Sequence, residues 1–141
     1  MSATSCRTIA PLAPVNLLQP GWHVRQGQAV WKPPGARPEL SGELLFATND
    51  DGDSFIQFSK SPFALVTAQT SQKRWHIEFG SGDYSFGGIG QPSEHFGWFK
   101  LAPALGGAKL SPPWHFERTS DTNWKLSNIR SGEMLEGFLS P

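Results

Sequence analysis

Few residues in this sequence are of types able to do chemistry, and they are scattered. No two of the four histidines, His23, His76, His95 and His115, share a local spacing suited to metal ligation from one helix or strand. His76 and His115 fall on the polar faces of alternating segments, where a solvated ring is expected. The run Asn49-Asp50-Asp51-Gly52-Asp53 has the composition of a calcium loop, but it lacks the alternating ligands and the distal glutamate, so it is read as a hairpin turn. Gly80-Ser81-Gly82 lacks the glycines two residues to either side of the serine that a nucleophile elbow requires. Gly87-Gly88-Ile89-Gly90 leads toward a proline rather than a helix, so it is read as a bend in a strand and not as a phosphate cradle. Glu133 and Glu136 have no evident acid–base partner. No catalytic residue, metal ligand or cofactor is expected, and an enzyme is not the expected class.

The single cysteine, Cys6, excludes an intrachain disulfide. Ala3-Thr4-Ser5 places small residues before it, as at the cleavage end of a bacterial lipoprotein signal. Cys6 is therefore the candidate lipidation site, and residues 1–20, rich in Pro, are the flexible tail or tether behind the anchor. A basic and apolar stretch ahead of Met1 would complete that signal. On this reading the protein sits in the bacterial cell envelope on the periplasmic face, anchored in the outer membrane, and touches membrane only through Cys6. The other reading is a free cysteine near the terminus of a cytosolic protein. Twelve basic and twelve acidic residues cancel, which leaves no electrostatic footprint for nucleic acid. No apolar run approaches the ~18 residues needed to span a bilayer.

The elements that must position any site are mostly strands. Fifteen Gly, twelve Pro, six Trp and ten Phe describe short strands with frequent turns. Strands are predicted over 21–33, 39–48, 54–60, 63–70, 74–79, 84–89, 114–119, 124–129 and 134–139, with turn signals at the spacing of an antiparallel barrel or sandwich. Along 21–33 neither face is cleanly apolar, whereas 74–79 alternates cleanly between Trp75, Ile77, Phe79 and Arg74, His76, Glu78. The segment 93–105 breaks the pattern. Ser93 is its candidate helix cap and Phe96, Phe99 and Leu101 its inner stripe, with Gly97 and Pro103 keeping the helix short or broken. The expected fold is mainly β: one domain over 21–141, an antiparallel, strongly curved sheet or incomplete barrel of about eight or nine strands with one short helical insert.

That leaves the apolar inner face as the candidate site. Phe46, Ile56, Phe58, Val66, Trp75, Ile77, Phe79, Phe86, Trp114, Phe116 and Trp124 alternate inward, joined by Phe99 from the insert, and form the candidate ligand-binding set. The competing reading makes these residues an ordinary filled core in a structural or protein-interaction barrel.

The order of elements resembles the lipoprotein-localisation factors of Gram-negative bacteria. The resemblance is carried by Glu39-Leu40-Ser41-Gly42-Glu43-Leu44, Phe55-Ile56-Gln57-Phe58, Trp75-His76-Ile77-Glu78-Phe79 and Leu101-Ala102-Pro103-Ala104-Leu105, across residues 21–139. It implies an incomplete β-barrel lidded by helices and a partner that is a lipid or the acyl chain of a lipoprotein; the chain itself is expected to be a monomer. The insert is shorter than that family's lid. The nearest counterpart to the receptor's exposed hydrophobic loop is Ser61-Pro62-Phe63.

Overall fold

A computed structural model of the chain describes residues 15–80 and 84–141. Cys6, most of the expected tether, and Ser81, Gly82 and Asp83 lie outside the described residues. The described residues form β1 (Trp22–Lys32), β2 (Leu40–Asn49), β3 (Ser54–Lys60), β4 (Phe63–Ser71), β5 (Arg74–Phe79) and β6 (Tyr84–Ile89). A 3₁₀ turn (Gly97–Phe99) and a short helix α1 (Leu101–Leu105) follow, then β7 (Trp114–Arg118), β8 (Asn123–Asn128) and β9 (Met134–Leu139). All pairings are antiparallel, in the order β6-β5-β4-β3-β2-β1-β9-β8-β7, and the sheet does not close.

Turn chemistry sets this meander. Between β2 and β3, Asn49 Oδ1 accepts the N–H groups of Asp51 (3.0 Å) and Asp53 (2.9 Å), and Gly52 takes a positive φ of 87°. Asp53 Oδ1 in turn accepts the Gln72 N–H at 2.9 Å, which ties this turn to the one between β4 and β5.

The register brings alternate residues onto one inner face. Phe46 stands opposite Ile56, Leu44 opposite Phe58, Phe58 opposite Val66, Ile56 opposite Ala68, and Ala68 opposite Ile77. These side chains are buried to 5% exposure or less. Packing of this kind across neighbouring strands is what stabilises a sheet. Strand β1 departs from the sequence expectation, since it does have an apolar inner face. Ala29 and Trp31 are buried, and the polar alternates Gln26 and Gln28 face outward.

The sheet is strongly curved. Trp31 on β1 and Phe79 on β5 are four strand spacings apart, about 19 Å on a flat sheet, yet their rings stack with centroids 6.2 Å apart. Close approach of β1 and β9 accompanies this curl: a Cβ at Gly27 would collide with Phe138 O, and one at Gly137 with Gln28 O.

Topology also fixes the route of the insert. A chain leaving edge strand β6 for the opposite edge strand β7 must cross the sheet, and it crosses the inner face. Trp98 and Leu101 are fully buried there. The helix is shorter than the predicted 93–105. Ser93 Oγ caps only a local turn at the His95 N–H (3.2 Å), and the Gly97 N–H goes to Glu133 Oε1 (3.3 Å) instead of a helical carbonyl. Pro103 is tolerated because the first turn of α1 has no N–H bonds to lose.

Candidate ligand cleft

Glu133 organises the site. It follows the turn between β8 and β9 and is only 3% exposed. Its Oε2 accepts the Trp31 indole N–H at 2.9 Å and its Oε1 the Gly97 N–H at 3.3 Å, so one carboxyl joins β1, the insert and the start of β9. Burial raises its pKa above the usual carboxylate value, against the opposing pull of these two hydrogen bonds. The sequence predicts a hairpin-turn Glu133 without a partner; in the structure it is a buried junction bonded to Trp31 and Gly97.

A continuous run of aromatic contacts spreads from this point. Trp98 packs on Phe58 (5.2 Å between centroids) and edge-on against Trp31 (5.4 Å). Phe79, stacked on Trp31, leads to Phe96 (5.9 Å) and Phe86 (6.4 Å), and Phe96 also meets Phe86 at 5.4 Å. Trp75 closes the far end against Phe99 at 5.5 Å.

Beside this run, at the open end of the half-barrel where β1 turns into β2 and β5 into β6, lies a cleft of about 620 Å³. The half-buried Leu40, Leu65, Phe79 and Phe96 supply its accessible apolar walls, with the buried Trp31, Trp98 and Glu133 beneath them. Tyr84 and Phe86 stand at the rim, 68% and 48% exposed, together with Arg37 and His95. The volume lies in the range that holds single small ligands. Two other clefts, of about 670 and 520 Å³, mix apolar side chains with Ser, Thr, Gln, Glu, Lys and Arg.

The ligand-contact set expected from sequence divides in the structure. Phe46, Ile56, Phe58, Val66, Ile77, Trp114 and Trp124 are buried to 5% or less, and Phe99 to 9%, packed against one another and the insert. Trp75 and Phe116 are half-buried against the same core. Phe79 and Phe86 line the cleft. The insert therefore fills most of the inner face, and the open space is displaced to one end.

Sequence reasoning missed Trp31, Arg37, Leu40, Phe96, Trp98 and Glu133 as members of this site. Trp98 carried a usable signal, an aromatic pair with Phe99 in the one segment that must cross from edge to edge. Glu133 carried none, since nothing local separates it from a solvated turn residue. Among the described residues, no helix is long and apolar enough to cross a membrane. No protein-family model matches the chain, and no curated protein matches it either.

Proposed function

We propose that this chain is a non-catalytic binding module that holds an alkyl or acyl chain in the cleft at the open end of its half-barrel, where β1 turns into β2 and β5 into β6. The observation that carries the reading is the cleft itself: about 620 Å³ walled by aromatic and aliphatic side chains, with Tyr84 and Phe86 exposed at its mouth. Exposed aromatic rings continuous with an apolar recess are the arrangement expected where a hydrophobic ligand enters. Affinity would come from apolar burial, at roughly 25 cal/mol per Å² removed from water.

The resemblance to lipoprotein-localisation factors supports an acyl chain as the occupant. The small residues before Cys6 support a lipid anchor and a place in the bacterial envelope, with the module held at the membrane surface by its tether. The filled inner face limits the occupant to the cleft, so a single short chain fits this reading better than a multiply acylated lipid.

The test is displacement of a fluorescent polyene fatty acid from the purified protein by dodecanol. Saturable binding is expected in the wild type. It should be lost in Leu40→Trp, which fills the cleft from a half-buried position. Absence of wild-type binding, or binding undiminished in a folded Leu40→Trp, would overturn the proposal.

A further inference from the structure

We infer that the cleft selects a single-chain amphiphile with a carboxylate head, the tail lying against Leu40, Leu65 and Phe79 and the head held at the rim by Arg37. This inference rests on the cleft reading above and adds the chemistry of the head group.

The charges lining the cleft are unequal in kind and depth. Arg37 is permanently cationic and exposed at the rim, with His95 beside it as a further ring donor. Among the described residues no hydrogen bond or ion pair engages Arg37, and Glu39, two residues on, does not pair with it. The acidic group lining the cleft is Glu133, which lies at the floor and is already engaged by Trp31 and Gly97. An apolar recess with one unpaired guanidinium at its mouth complements a ligand that is apolar along its body and anionic at one end. A planar carboxylate can accept two parallel N–H bonds from a guanidinium.

The orientation follows from the same inventory. A carboxylate driven to the floor would be desolvated beside Glu133, and two such groups cannot both stay ionised at low cost. Placed at the rim, it stays solvated and meets the positive charge. The loop that carries Arg37 is also held in place. Pro34 and Pro38 restrict its backbone, Pro33 is buried at its base, and the Gly35 N–H donates to Ser131 O at 3.2 Å. That bond ties the loop to the same turn that leads into Glu133. Arg37 is therefore presented from a restrained segment, which reduces the entropy lost when an anion binds.

The experiment is isothermal titration of the full chain with three probes of equal chain length: dodecanoate, dodecanol and dodecyltrimethylammonium, each below its micelle-forming concentration. Dodecanoate should bind about ten-fold more tightly than dodecanol, and the cation more weakly than either. Arg37→Gln should abolish the excess of dodecanoate over dodecanol measured on the same variant; His95→Gln should keep most of the preference. Dodecanol binding with no carboxylate preference, or a preference that survives Arg37→Gln, would overturn the head-group assignment while leaving the cleft reading intact. Failure of all three probes to bind would overturn both.

Discussion

Trp98 anchors the insert in the interior, and two substitutions separate its contributions. It is fully buried, with Phe58 and Trp31 packed on its ring at 5.2 and 5.4 Å. Trp98→Ala removes the whole indole from a site whose neighbours are held by their own strands, so collapse is limited. The expected cost is about 3–5 kcal/mol, toward the upper end because two aromatic pair contacts are lost as well. Trp98→Phe behaves differently. The indole Nε1 is buried without a hydrogen-bond partner among the described residues, and an unpaired buried donor costs about 1–3 kcal/mol. Phenylalanine gives up part of the ring contact but removes that donor. The two effects are of similar size, so Trp98→Phe should lie within about 1 kcal/mol of wild type. Urea unfolding followed by far-ultraviolet circular dichroism measures both, with a shared m-value as the check on two-state behaviour. If Trp98→Phe cost as much as Trp98→Ala, the indole N–H must be engaged, and the description of an orphaned donor in a filled interior would be refuted.

Other consequences follow from the same geometry. Because burial holds the Glu133 carboxyl above its ordinary 4.5, the folded state keeps its proton more firmly than the unfolded state. That stability is full below the unfolded value and is lost as pH rises through the folded one. Glu133→Gln does not titrate, so its urea midpoint should gain on wild type as pH rises above about 4.5; parallel pH profiles would contradict the upward shift of this carboxyl. Gly137→Val places a side chain against Gln28 O and Ala29, and should lower stability by about 1–3 kcal/mol or more through overpacking. A thermal midpoint equal to wild type would show that β1 and β9 are not so closely apposed. Phe86→Ser, at a ring 48% exposed, should cost less than about 1.5 kcal/mol of stability yet weaken dodecanol binding several-fold. A large stability loss with binding unchanged would put Phe86 in the core and not at the mouth.

Much of the fold was legible because it is written locally. Clean alternation such as Trp75, Ile77 and Phe79 against Arg74, His76 and Glu78 specifies a strand and its inner face together. The Asn49 to Asp53 run specifies its turn through side chains that bond their own backbone. Strand β1 was harder to read. It pairs on both sides, with β2 and β9, and Gly27 stands where the alternation would place an apolar residue, so only Ala29 and Trp31 mark its inner face. The site was less legible than the fold because it is a product of topology. Whether Phe58 and Val66 contact a ligand or the insert depends on where a chain running from β6 to β7 crosses the sheet, and no period in the sequence encodes that path. Glu133 shows the same limit. Its partners, Trp31 and the Gly97 N–H, stand 102 and 36 positions away, and only the closed geometry of β1, β9 and the insert makes it a buried anchor.

The central claim, that an alkyl chain occupies the cleft and not the remainder of the inner face, is tested most directly by methyl-resolved NMR during titration with dodecanol. Leu40 and Leu65, which line the cleft, should show saturable shifts and contacts to the alkyl protons. Leu44, Val66, Ile77 and Leu126, buried to 1% or less, should show neither contact. Ligand contacts spread over those four residues, or no saturable shift at Leu40 and Leu65, would contradict the account.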